Sequence, residues 1–210
     1  MKRKKLFLIL GIALVCLAVG GYFIIDHMLN QDLQKQQQEL DELANMQAAT
    51  KSGETVEMEL FSFADGRFFL KLPKSFAPMD ESLIAVKYPS GNAPTHVFTN
   101  EQTTINVALN ITENNMPDDE IALYIKYMEQ ELEGSMEILS SGITEKAGRQ
   151  IGQISFRSAA VDTDIYNHFL AFSDNGKLVL ITFNCTVNLQ DEWQPVGDFI
   201  LQSLHFPAEE

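Results

Sequence analysis

Apolar and polar positions divide the chain into three stretches with different periods. Leu6 to Ile25 is an unbroken apolar run, preceded by Lys2-Arg3-Lys4-Lys5 and followed by Asp26. As a helix it would be about 30 Å long, the thickness of a bilayer's hydrocarbon core. The cations before it place residues 1–5 in the cytoplasm and everything after residue 25 on the far side of the membrane. A cleaved leader would stop near Ala18-Val19-Gly20, but apolar residues continue to Ile25; a lipidation site at Cys16 would need a small residue before it, and Val15 stands there. The run predicts a single-pass signal anchor over residues 6–25, with the cytoplasmic membrane as its partner.

Residues 26–53 change character. Gln, Glu, Asp and Leu dominate to residue 50, with Leu29, Leu33, Leu40 and Leu43 at heptad-like steps and Gln36 interrupting the seam. This predicts a helical stalk of about 35 Å, either a solvated spacer or a weak dimer through the leucines. Ala48 to Gly53 then reads as a linker of small residues.

From Glu54 to Pro207 the pattern is that of one folded domain. Val56, Met58 and Leu60 alternate with Glu57 and Glu59, and Asp65-Gly66 signals a hairpin whose second strand, Arg67 to Leu72, stops at Pro73. Further strands are expected over 82–88, 96–99 and 104–112, the last with Ile105, Val107, Leu109 and Ile111 on one face. Pro117 and Asp118-Asp119-Glu120 open a helix whose apolar stripe is Ile121, Tyr124, Ile125, Met128 and Leu132. Strands at about 136–145, 150–161, 165–173 and 177–187 follow, the last two joined by Asp174-Asn175-Gly176. A final helix, 191–204, buries Trp193, Val196, Ile200 and Leu204. Helices with one apolar stripe must cover a sheet face, so the expected class is α+β with a largely antiparallel sheet and flanking helices.

The strand beginning Phe68-Phe69-Leu70-Lys71-Leu72-Pro73, the mid-domain helix, the hairpin ending Thr182-Phe183-Asn184 and the terminal Trp193…Ile200-Leu201-Gln202-Ser203-Leu204 helix together resemble the Mog/PsbP-like superfamily. The resemblance covers about residues 54–207 and implies an α/β/α sandwich; the anchor and stalk depart from the soluble members, and with the short basic anchor the likeness points to a membrane-anchored bacterial member. Known members include a photosystem extrinsic subunit, a regulator that binds a small GTPase, chaperones for secreted bacterial effectors and bacterial lipoproteins. Most bind proteins and catalyse nothing, so the resemblance implies a binding module without a motif to carry over.

Charge narrows the partners. The formal net charge is -14, and without Lys2, Arg3, Lys4 and Lys5 the remainder holds 11 Lys and Arg against 29 Asp and Glu, a balance of -18. Such a surface repels nucleic acid and favours basic partners. Only Cys185 follows the anchor, so no internal disulfide forms there. The sequons at Asn110 and Asn184 fall in expected strands, where a glycan would be awkward.

Candidate chemistry is sparse. The chain has no Gly-x-Ser-x-Gly, no Gly-x-x-x-x-Gly-Lys and no Gly-x-Gly-x-x-Gly. His27, His96, His168 and His205 lack the paired spacing of a zinc site, and His168 shares a strand face with Tyr166 and Leu170, as a structural histidine would. Cys185 reads as a buried apolar residue. Asp162-Thr163-Asp164, Asp174-Asn175 and Asp118-Asp119-Glu120 are explained by turns and a helix start, without a calcium loop's distant Glu, so no metal or cofactor is expected. Phe61, Phe63, Phe68, Phe69 and Phe76 crowd one region, and Phe61 and Phe63 share a face with Glu57 and Glu59. That face is either covered core or an aromatic patch open to a partner; with the Tyr88-Pro89-Ser90-Gly91-Asn92-Ala93-Pro94 loop it supplies the expected binding residues Phe61, Phe63, Phe68, Tyr88 and Pro89. Three functions stay open: an extracytoplasmic, non-enzymatic protein-binding or adaptor domain; an immunity or chaperone protein capturing a basic partner at the membrane; and a hydrolase or metal-dependent enzyme.

Overall fold

The computed structural model describes residues 27–88, 93–160 and 163–207. The expected anchor, residues 6–25, lies outside them; among the described residues no helix is long and apolar enough to cross a membrane. The chain divides after Asn45. Before that point residues 27–45 form one helix, α1. It is polar nearly all round and supported by i,i+4 pairs such as Gln37 to Asp41 and Gln38 to Glu42, both 2.9 Å, with Leu29 and Leu33 exposed.

The domain starts at Met46. Its first elements are β1 (Ala48–Ala49), β2 (Thr55–Val56), β3 (Met58–Phe63), β4 (Phe68–Pro73), β5 (Ala77–Pro78) and α2 (Glu81–Lys87). Then come β6 (His96–Thr99), β7 (Ile105–Asn115) and α3 (Ile121–Leu132). Four long strands follow, β8 (Glu137–Lys146), β9 (Arg149–Ala159), β10 (Asp164–Asp174) and β11 (Lys177–Thr186), and α4 (Val187–Gln202) ends the fold. The main sheet has seven strands in the order β5-β6-β7-β11-β10-β9-β8, antiparallel at every pairing. The class is α+β, as the patterning implies.

Both sheet faces are covered. On one, Val107 and Leu109 of β7, Ile181 and Phe183 of β11, and Leu170 and Phe172 of β10 pack beneath Val196, Ile200, Leu201 and Leu204 around α4, with Phe63, Phe68, Leu70 and Leu72 of the β3–β4 hairpin completing the core. On the other, α3 sets Ile121, Ile125 and Leu132 on Ile154, Phe169, Ala171 and Leu178. A smaller cluster joins Leu83 and Ile84 of α2 to Met79, Val97 and Ala108 on the same side. Two glycines let the helices sit this close. A Cβ on Gly197 would lie 2.4 Å from the Phe183 ring, and one on Gly152 would lie 2.3 Å from Ile125.

Several expectations are corrected. Residues 82–88 form no strand: Asp80 caps a helix by accepting a hydrogen bond from Ser82 N at 2.8 Å, and Leu83 and Ile84 turn to the sheet. The last helix starts at Val187 rather than 191, since Val187-Asn188-Leu189 continues the apolar run of β11 and hides the boundary. The segment read as a linker is part of the domain, with Ala48 and Thr50 buried and Ala48 paired with Val56. In β3 the buried side switches from Met58 to Phe63, five positions on, where Phe63 meets Phe68 and Phe98. On the aromatic face Phe63 is covered core, while Phe61 is half-buried and Glu57 and Glu59 are exposed.

Gly197→Ala is expected to lose stability. The helix gains about 1 kcal/mol of propensity, but overpacking against a ring costs about 1–3 kcal/mol. Urea unfolding should show a lower midpoint for Gly197→Ala and none for Gly142→Ala, whose Cβ would meet only Gln153 at 3.9 Å.

Candidate functional site

Of the expected binding residues, Phe61, Phe63 and Phe68 come together in one ring cluster, and Tyr88 is not part of it. Phe68 is fully buried, edge-on to Phe172 with ring centroids 5.3 Å apart, and Phe63 is buried between Phe68 and Phe98. Phe61 is half-buried against Phe98 at 5.2 Å. Tyr88 packs with α2 on the opposite face of the sheet, and Pro89 lies outside the described residues. No open aromatic patch is formed by Phe63 and Phe68, which are core. Asp174 likewise serves structure: its buried carboxylate accepts Arg67 Nε on both oxygens, at 3.1 and 2.8 Å, and ties the β3–β4 turn to the end of β10. Asp118 accepts Gln150 N at 3.1 Å on both oxygens. Among the described residues no group of three or more His, Cys, Asp or Glu could hold a metal.

A different site emerges where α4 ends its cover of the sheet. The cleft there, about 500 Å³, opens between α4 and strands β8, β9 and β10. Period two explains its lining. The positions of β8 and β9 that face α4 carry Ser140, Gly142 and Thr144, then Gln153, Ser155 and Arg157, where the central strands carry apolar residues. One cross-strand row runs Ser140, Ser155, His168, Phe183, so polar groups give way to core along a single line. From α4, Gln190, Gln194 and Asp198 repeat at steps of four and form one stripe beside the apolar one.

These groups are linked. His168 Nδ1 lies 3.0 Å from Asp198 Oδ1. A carboxylate oxygen accepts, so in this bond Nδ1–H is the donor and Nε2 is turned away from Asp198. The Ser140 and Ser155 hydroxyls are 2.6 Å apart. Arg157 donates to Gln190 Oε1 at 2.8 Å and Glu137 Oε2 at 3.1 Å, and Gln190 passes the chain to Gln194 at 3.2 Å. Lys146 Nζ donates to Gln202 O at 2.6 Å, closing one end, and burial holds its ammonium below the ordinary lysine range. Tyr166 is buried at the floor; burial first, then the charge of Asp198, pushes its phenol up, so it stays protonated. Ile151, Leu170, Leu201 and Leu204 give the cleft an apolar base.

Such an arrangement can orient a partner by hydrogen bonds donated and accepted over an aliphatic floor. Serine nucleophile chemistry needs an Oγ hydrogen-bonded to the imidazole; among the described residues no hydroxyl makes that bond to His168. His168 does share the face of Tyr166 and Leu170, as its strand position implies. Its partner Asp198 and the rest of the cleft were overlooked by sequence reasoning. The available signal was the polar stripe at positions of β8 and β9 that period two assigns to the covered face.

Cys185 is buried beneath α4, and burial pushes its thiol up to about 12. At pH 8 the folded protein keeps this thiol protonated, whereas an unfolded chain, whose thiol titrates near 8.5, carries a sizeable share of thiolate. Iodoacetamide at pH 8 should leave Cys185 unmodified in the folded protein and alkylate it in urea, read by peptide mass mapping. The unfolded chain also releases this proton first, so the Cys185 contribution to stability is intact below about pH 8.5 and declines as pH rises past it.

No family model matches the chain, and no curated protein matches it in sequence. Solved structures do match its fold. The solution structure of cyanobacterial PsbP (CyanoP) from Synechocystis sp. PCC 6803 aligns with TM-score 0.50 at 14% identity, over 71% of this chain and 92% of that one. LpqN of Mycobacterium tuberculosis, described as involved in cell envelope biogenesis, aligns with TM-score 0.48 at 9% identity, over 73% of this chain and 92% of that one. The domain has a PsbP-like fold.

Proposed function

We propose that this chain is a non-enzymatic binding domain of PsbP-like fold, held on the outer side of a cytoplasmic membrane by residues 6–25 and raised from it by the α1 helix. The cleft between α4 and the β8–β9 edge is its binding site. One observation carries the reading: at this cleft the sheet replaces core residues with hydroxyls and amides, and those groups bond to each other rather than to the imidazole. Interior polar groups are costly unless they have partners or serve a ligand. The apolar run and its preceding cations support the tethering, and the acidic balance after it favours a protein partner over nucleic acid.

The test uses the full chain in intact cells with a photo-crosslinking residue in place of Thr144, at the cleft mouth. A discrete protein adduct is expected from Thr144, absent when the crosslinker replaces Glu54 and lost from Thr144 when Gln194→Trp fills the mouth without lowering Tm. Protease added to the sealed cells should remove the domain. Equal adducts from both positions, or none from Thr144, would overturn the binding site. A domain that protease reaches only after lysis would overturn the outward placement, and ester hydrolysis abolished by His168→Ala would replace binding with catalysis.

A further inference from the structure

The two edges of the main sheet are unlike. At one end β5 is two residues long and contains Pro78, a short edge that offers little to another strand. At the other, β8 runs ten residues without a proline. Its outer side pairs with no other strand among the described residues, leaving alternate backbone N–H and C=O groups directed away from the sheet. Natural edges of this length are ordinarily blunted by inward charges or cover. Here the bulge between Ile138 and Ser140 and the charges of Glu137, Glu145 and Lys146 blunt the two ends, while residues 140–144 carry no charge and Ile143 is exposed.

Both sides of this edge are hollow. The α4 cleft reaches it through Ser140 and Thr144, with Gly142 between them contributing no side chain. On the opposite face a second hollow of about 460 Å³ lies between α3 and the start of β8, lined in part by Glu129, Glu133 and Ile138. The α3 side is strongly acidic: Asp118, Asp119, Glu120, Glu129, Glu131 and Glu133 stand against Lys126 over residues 118–133. A strand laid along β8 would send its side chains alternately into the two hollows.

We propose that β8 is a strand-acceptor edge for an extended segment of a partner protein in which basic side chains alternate with aliphatic ones. The segment's main chain pairs with β8, its aliphatic side chains lie beside Gly142 and Thr144 at the β8 wall of the α4 cleft, and its basic side chains meet the glutamates of α3. Main-chain pairing supplies affinity and the alternate hollows supply selectivity. A second copy of this chain fits worse, because edge-to-edge pairing brings two acidic α3 flanks together. The inference rests on the reading of the chain as a binding domain and names the partner's chemistry.

The experiment measures fluorescence anisotropy of a labelled Lys-Val alternating peptide, about nine residues long, with the full chain in neutral detergent at about 0.05 M salt. Saturable binding is expected, with none by the Glu-Val counterpart. Glu129→Lys combined with Glu133→Lys should weaken binding about tenfold or more, at an unchanged Tm. Two further peptides, N-methylated at alternate backbone positions, separate pairing from charge attraction: one should lose binding and the other retain it, since only alternate N–H groups face β8. Equal binding by both methylated peptides, binding by the Glu-Val peptide, no saturable binding, or a dimer that buries β8 would each overturn the proposal. If the Lys-Val peptide fails while the Thr144 adduct persists, the strand-acceptor role falls and the binding reading stands; loss of that adduct removes the reading itself.

Discussion

A seven-stranded sheet is about 29 Å across, and one helix about 10 Å wide covers little more than two of its strands. Which strands receive cover is therefore the decision on which the rest of this molecule depends. On one face α4 settles over β11 and β10, where Gly197 lets its backbone descend onto the Phe183 ring. The β3–β4 hairpin fills the core beside it, toward β7 and β6. Among the described residues nothing comparable reaches β9 and β8 on that face, and apart from Ile151 and Gly142 their inward positions are polar. The cleft is the uncovered remainder, and its chemistry follows from that place.

Position also explains the character of the site. Groups at the limit of a core are neither fully hydrated nor fully buried, and they satisfy one another in networks that leave capacity toward the open side. Ser140 with Ser155, His168 with Asp198, and Arg157 with Gln190 do this along adjoining rows. The network presents donors and acceptors along adjoining rows, with Arg157 and Asp198 bringing charges of both signs, and burial keeps the Cys185 thiol protonated. Binding asks no more of such a surface than shape and complementary groups.

Much of the fold was legible because two periods dominate the sequence. Strands β8 to β11 fall within two residues of the positions that alternation and the Asp174-Asn175-Gly176 turn imply, and the α3 stripe is found where Ile121, Ile125 and Leu132 repeat. Local signals failed where two readings share the same residues. Leu83 to Val86 is as apolar as a short strand, and only the Asp80 cap decides for a helix. The phenylalanines of β3 looked available because they share a face with Glu57 and Glu59, while Phe68 and Phe98 cover Phe63 in the fold. The cleft was less legible still. Its residues come from β8, β9, β10 and α4, and only the antiparallel register brings Ser140 beside Ser155 and Ser155 beside His168.

As an open edge beside a polar cleft, β8 turns alternate amides to water rather than to another strand. Residue-by-residue amide hydrogen exchange along Glu137–Lys146 in the full chain tests this most directly. Alternation is expected: amides directed at β9 exchange slowly and their neighbours, directed outward, exchange fast. Uniformly slow exchange along the strand, like that of a central strand such as β10, would mean that the edge is already occupied, and would contradict it.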